Sequence, residues 1–288
     1  IAYHDKVEFF CLPTFYNFFS KNKLKFLNHN ENKEYFSKLK KITIKNLNIE
    51  LIKNEKDKIK ELNAKQLEIE NKKISNLQKI FLHSYYCKKK GILPFASIAR
   101  KAFISKSIFE SFLNEKFIDR KIRDNFFLNI KTISKEINKD LIDLKHNKIN
   151  KVNFLKKYGH LRPSTYSISS KNYKENFKEY FNKKNNPDKN IIRKKLSLSK
   201  GKEIQINKLL KKHGLKINCK RFLDFASKSI SLREYTKLIF SKSINQIFHN
   251  LIKLSKEIKI SRRDLEYISI KNFISIFSRN SYTAATTN

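Results

Sequence analysis

The densest cluster of chemically capable side chains in this sequence lies between two helix breakers, Gly159 and Pro163, and just beyond the second. Within the run Gly159-His160-Leu161-Arg162-Pro163-Ser164-Thr165-Tyr166 stand an imidazole, a guanidinium, two hydroxyls and a phenol. Such a set could hold a phosphate or carboxylate through charge-assisted hydrogen bonds. The plainer alternative is a loop whose polar groups cap the adjoining helix ends. Further on, Arg233 and Lys237 lie four residues apart on one face of an expected helix and could grip an anion, although a solvated face explains the spacing as well. In the run Leu93 to Phe103, Ala96, Ala99 and Ala102 favour close helix packing while Arg100 points outward. The histidines outside the loop, His4, His29, His83, His146, His213 and His249, have no partner at metal-ligand spacing and read as ordinary surface or core residues. A Gly-rich phosphate loop, HExxH, GxSxG and paired carboxylates in a Gly-bounded loop are all missing, so no catalytic residue and no metal ligand is assigned.

The elements expected to position these residues are mainly α-helical, a helical bundle with a small N-terminal β element. Four Gly and four Pro in 288 residues leave few tight turns of the kind that β-rich folds need. Lys6 to Leu12 is a short β-prone run closed by Pro13, within an opening segment 1–50. Residues 51–170 read as a helical domain: one long amphipathic helix or two from Leu51 to about Lys90, a break at Gly91 and Pro94, then helical patterns over Phe95 to Leu113 and Ile118 to Leu144. Residues 171–200 are rich in Lys and Asn and offer only Phe177, Tyr180 and Phe181 as anchors, which predicts a mobile basic connection. Residues 201–278 resume the helical period as a second part of the same domain, Ser261 and Asp264 resembling a helix N-cap pair, and 279–288 read as a disordered tail. If Gly159 and Pro163 interrupt the bundle, His160 and Arg162 should face a shared cavity able to receive a negatively charged group.

Composition sets the outer bounds. Hydrophobic residues make up 40%, with 24 Phe and 12 Tyr, enough to form a core that offsets the entropy of ordering the chain. Cys11, Cys87 and Cys219 are far apart and form no CxxC pair, which fits a reducing, cytoplasmic setting. No apolar run is long enough for a membrane span, so no membrane partner is expected. The chain begins with Ile and contains no Met, which reads as a fragment of a larger protein. The net charge of +38 suggests attraction to polyanions such as nucleic acid. Yet of the 64 basic residues only ten are Arg, and the Lys are spread along the whole length among Asn, Ile and Phe. Nucleic-acid sites favour Arg forks clustered on one face, so coding bias explains this distribution better and nucleic acid is not the favoured partner.

Five segments resemble, in order, the central region of the phosphoenolpyruvate synthase and pyruvate phosphate dikinase relatives, the group that includes rifampicin phosphotransferase. Tyr158 to Ile168 is similar to Y-G-H-L-R-P-G-T-Y-D-I, and His4 to Phe9 to H-D-K-[VI]-E-F. Leu93 to Phe103 resembles L-P-F-A-x-L-A-R-x-A-F, Leu232 to Lys237 resembles L-R-E-Y-x-K, and Ile260 to Leu265 resembles [LI]-S-R-E-D-L. The sequence departs from the pattern at Ser164, where the family has Gly, at Ser167, where it has Asp, and at Lys171-Asn172, where it has Pro-Arg.

The resemblance implies an acceptor-binding middle domain of an ATP-dependent phosphotransferase. In such a machine an ATP-grasp domain phosphorylates a histidine on a swivelling domain of the same polypeptide, and that phosphohistidine delivers the group to a small-molecule acceptor. ATP and Mg²⁺ would be bound outside this chain, which would hold no cofactor and would be inactive alone. His160, Arg162, Thr165 and Tyr166 would form an acceptor or phosphate site, with Arg233 and Lys237 as anion clamps; the transferred histidine would lie on the carrier domain. The rival expectation is a strongly basic, structural RNA-binding protein such as an organellar ribosomal component.

Overall fold

The computed structural model describes residues 26–181, 198–269, 272 and 275. It is 75% helix, with no strand among the described residues. The strand expected at Lys6–Leu12 and the tail 279–288 lie outside those residues, so the small N-terminal β element has no support here.

In chain order the helices are α1 His29–Asn46, α2 Ile49–Asn71, α3 Asn76–Tyr86, α4 Leu93–Asn114, α5 Arg120–Asn129, α6 Ile133–Lys145, α7 Lys151–Tyr158, the short α8 Phe177–Phe181, α9 Lys200–Lys212 and α10 Cys219–Glu257. Their ends follow from local chemistry. Asn28 and Glu31 close a reciprocal capping box on α1, as Ser75 and Gln78 do on α3. Asp119 accepts from the Ile122 amide at 2.7 Å to start α5, and Lys135 Nζ donates to the carbonyls of Phe127, Leu128 and Ile130 at 2.9, 2.8 and 2.9 Å, satisfying its C-terminal end. Gly214 takes φ +71° after α9, a backbone state that costs glycine least.

The break expected at Gly91 and Pro94 does not occur. From α3 the chain continues through a π-helical turn, Cys87–Ile92, directly into α4, with Pro94 in the first turn of that helix. Pro lacks an amide hydrogen and its ring crowds the carbonyl four residues back; the wider π turn just upstream relieves that crowding. Gly91 is needed there, because an added Cβ would sit 2.8 Å from the Phe240 Cβ and 2.9 Å from the Leu62 Cδ2.

The chain divides into two compact units built from interleaved stretches. The first comprises Ile1–Ile59, Ile92–Asn138 and Asp188–Lys237. Its core joins α4, α5, α9 and the first half of α10 through Phe109, Phe112, Phe126, Leu210 and Phe222, with Phe109 and Phe126 stacked at 4.4 Å between centroids. Such aromatic pairs add about 0.5–1.5 kcal/mol beyond their area burial. Ile52, Ile98, Phe225 and Leu232 form a neighbouring cluster in the same unit.

The second unit comprises Lys60–Gly91, Lys139–Pro187 and Leu238–Asn288. It buries Ile80, Ile168, Leu251, Leu254 and Leu265 together. A second set of rings surrounds Phe154, which contacts Phe177 and Phe181, while Tyr173 contacts Tyr180 and Phe181. The aromatic anchors expected in 171–200 therefore pin that segment's first residues in place; residues 182–197 lie outside the described chain. Gln66 fastens α2 to α10 within this unit, donating to the Ile239 carbonyl at 2.9 Å and to Ser243 Oγ at 2.7 Å.

Candidate functional site

The helical period ends at Tyr158, and Gly159 follows because a Cβ there would come within 2.4 Å of the Leu155 carbonyl oxygen. The loop then turns back on itself: the Tyr173 amide donates to the Leu161 carbonyl at 2.8 Å and the Lys174 amide to the Gly159 carbonyl at 3.0 Å. Two side chains of the loop point inward and tie it to α10. His160 Nε2–H donates to the Leu238 carbonyl at 2.9 Å. A carbonyl can only accept, so the proton sits on Nε2. Burial holds this imidazole down at about 4, with nearby Lys242 and Arg162 adding to the effect and the bond to Leu238 opposing it. The ring is neutral at physiological pH.

Arg162, 7% exposed, donates from Nη2 to Asn245 Oδ1 at 2.6 Å and from Nη1 to the Ser167 carbonyl at 3.3 Å. Its guanidinium also lies 4.9 Å from the Phe248 ring centroid. Burial lowers its pKa, Glu175 opposes that and Arg262 adds to it. Arg262 reinforces the same loop, donating to the carbonyls of Ile168 at 2.6 Å and Ser170 at 3.2 Å and forking to Glu175 at 3.3 and 3.2 Å. Partial burial disfavours the Glu175 carboxylate, but the Asn172 amide and Arg262 outweigh it and hold the pKa below the usual range.

What this anchoring presents is a cavity of 690 Å³. Ser164, Thr165, Tyr166 and Ser167 form one wall, and Ile247, Phe248, Leu251, Leu265 and Ile268 supply an apolar floor. Thr165 and Tyr166 line the cavity, whereas His160 and Arg162, which the sequence reading expected to face it, do not line it and instead brace the loop from behind. Ser167 stands where the resembled pattern has Asp, yet a carboxylate is present: Ser167 Oγ donates to Glu266 Oε1 at 2.5 Å, and Glu266 also lines the cavity. That bond is the main influence lowering the Glu266 pKa. Glu266 comes from a short 3₁₀ turn, Asp264–Glu266, whose first amide, that of Asp264, donates to Ser261 Oγ at 3.2 Å. The Ser261 and Asp264 pair therefore starts a 3₁₀ turn rather than an α-helix.

Arg233 and Lys237 belong to the first unit, whereas the loop belongs to the second. Arg233 stacks 5.6 Å from the Phe103 centroid and Lys237 is exposed. Among the other candidates, Arg100 is exposed and Ala99 and Ala102 are buried, as packing of that helix requires. Cys87 and Cys219 are free buried thiols whose pKa values burial pushes up to about 12 and about 11, leaving both unreactive at neutral pH.

Sequence reasoning missed a second group. His83, fully buried, bonds Glu70 at 2.7 Å, and Glu70 lines a polar cleft of 500 Å³ with Asn172, Lys174, Asn245 and His249. These residues come from distant stretches of chain, so no spacing announces them.

The fold and these two cavities define a helical protein with a loop-walled, apolar-floored pocket. Comparison with protein-family models, curated proteins and solved structures gives no match. Among the described residues no helix is long and apolar enough to cross a membrane.

Proposed function

We propose that this chain is the acceptor-binding helical part of a cytoplasmic, ATP-dependent phosphotransferase of the phosphoenolpyruvate synthase type, receiving a phosphoryl group from a phosphohistidine carried on a separate domain. The observation that carries the reading is the 690 Å³ cavity walled by the Ser164–Ser167 stretch of the very loop that resembles that family. Its apolar floor suits the body of a small molecule, and the hydroxyls of Thr165 and Tyr166 with the Glu266 carboxylate suit a hydroxyl group brought to the rim. There the Glu266 carboxylate would accept the hydrogen bond of the acceptor hydroxyl, and the braced loop would fix its position, which is most of what phosphoryl transfer asks of protein groups. His160 and Arg162 act as positioning residues behind the wall. ATP and Mg²⁺ belong to the ATP-grasp domain of the parent polypeptide, and Arg233 and Lys237 remain candidate anion contacts on the first unit.

The test is a pair of titrations on the full chain. Calorimetry with Mg²⁺ and ATP should give no binding, and amphiphilic alcohols screened by NMR should perturb the amides of Thr165, Tyr166 and Glu266. Micromolar ATP affinity, or alcohols mapping only to other surfaces, would overturn the assignment. The RNA-binding reading draws on the +38 charge with its interleaved aromatic residues, and filter binding to mixed RNA that survives above physiological salt would favour it instead.

A further inference from the structure

The polar cleft beside the loop has its own chemistry. It measures 500 Å³, and none of its lining side chains is a hydrocarbon: Glu70 from α2, Asn245, Gln246 and His249 from α10, and Asn172, Lys174 and Glu175 from the segment after the loop. Their internal bonds decide which atoms remain for a ligand. Asn245 Oδ1 accepts from Arg162 Nη2 at 2.6 Å and from Asn172 Nδ2 at 3.0 Å, so its amide nitrogen is the free end. Glu175 is consumed by the Asn172 amide at 2.8 Å and by the Arg262 fork, which makes it wall rather than ligand contact.

Glu70 differs. Its Oε1 accepts from the fully buried His83 at 2.7 Å, which fixes the carboxylate, while Oε2 has no partner among the described residues. Lys174, exposed on the same cleft, also has none among them, and neither do the Gln246 amide and the His249 ring. Burial, then the neighbouring Lys253, lowers the His249 pKa, and Glu70, Glu175 and Lys174 also act on it electrostatically.

One fixed carboxylate oxygen and one free ammonium thus face the same space, with an amide N–H beside them. An anion alone would meet the Glu70 charge and a cation alone the Lys174 charge, whereas a molecule carrying both signs satisfies both. We propose that this cleft binds a free polar α-amino acid, its carboxylate on Lys174 and the Asn245 amide nitrogen, its ammonium on Glu70 Oε2, and its side chain toward Gln246 and His249. This site is separate from the 690 Å³ cavity and does not depend on the phosphotransferase reading.

The experiment titrates the full chain, by calorimetry, with serine, glutamine and glutamate, each beside the matching acid without its amino group and the matching amine without its carboxylate. Saturable binding of at least one amino acid is expected. Glu70→Gln should weaken that amino acid roughly tenfold, the size of one lost charge-assisted bond, and tighten the matching acid, which no longer meets the Glu70 charge. Lys174→Gln should weaken amino acid and acid alike by roughly tenfold and tighten the amine, which no longer meets the Lys174 charge. Because Glu70 supports a buried histidine, thermal melts check its folding, and the exposed Lys174 variant carries the test if that one unfolds. No saturation by any amino acid below about 20 mM, far weaker than the millimolar end of ordinary ligand affinities, would overturn the proposal. So would inorganic phosphate binding as tightly as the amino acids, or both substitutions weakening every probe equally.

Discussion

His160 shows how a side chain that could do chemistry is spent on architecture. Its Nε2–H is committed to the Leu238 carbonyl and its surroundings hold the pKa at about 4, well below the ordinary value of 6.5. The consequence for stability has a definite sign. Above about pH 6.5 both folded and unfolded chains carry the neutral ring, and the full contribution is present. As pH falls from there toward 4, the unfolded chain takes up a proton that the folded chain refuses, so stability drops, by on the order of 3 kcal/mol for this residue. His160→Gln keeps an N–H donor and removes the titration. Urea unfolding at about pH 7.5 and about pH 4.5 should therefore show a larger acid loss for the wild type than for the variant, by roughly that amount. Equal losses would mean that His160 is not buried in its neutral form.

At the scale of elements, the π turn is where local signals and tertiary packing disagree. Gly91 and Pro94 together read as a helix break, yet the chain stays helical from Asn76 to Asn114. What decides it is a close approach that only glycine permits, Phe240 and Leu62 both lying within 2.9 Å of where a Cβ would be. Gly91→Ala should accordingly cost about 1–3 kcal/mol through overpacking, outweighing the helix-propensity gain of about 1 kcal/mol. Gly201, in the first turn of α9, has nothing within 4 Å, so Gly201→Ala should instead stabilise by about 0.5 kcal/mol. Thermal or urea melts of the two variants should move in opposite directions, and a shift of the same sign would remove the packing explanation.

These same residues mark how far the sequence could be read. Helical periodicity, the break at Gly159 and the anchors Phe177, Tyr180 and Phe181 were legible because each is a local pattern. The direction taken by His160 and Arg162 was not, since it depends on Leu238 and Asn245, 78 and 83 residues away. The cleft was invisible for the same reason: Glu70 meets its buried partner His83 across two helices, and its other walls come from a hundred residues or more downstream.

Across the whole molecule, unbalanced charge is the strongest long-range influence. With 64 Lys and Arg against 26 Asp and Glu, 38 cations would remain unmatched even if every carboxylate were paired. Among the described residues, pairs such as Lys38 with Glu34 at 2.7 Å and Lys228 with Asp224 at 2.7 Å are local and open to solvent, and exposed pairs of this kind contribute at most about 1 kcal/mol. Self-repulsion among the remainder opposes the compact state and is relieved when the chain expands. Salt should act on the repulsion more than on the pairs, because unmatched like charges outnumber matched ones and most lie on the surface, where the screening length falls from about 30 Å at 0.01 M to about 3 Å at 1 M. The melting temperature should therefore rise as NaCl increases from about 0.02 M to about 0.5 M, the reverse of what a fold held by surface ion pairs would do. The rise should be matched by KCl at equal ionic strength, since screening depends on concentration and valence rather than on the ion's identity. A melting temperature that falls with salt would show that the dispersed lysines are held by favourable contacts, and that the high charge contributes to the fold instead of opposing it.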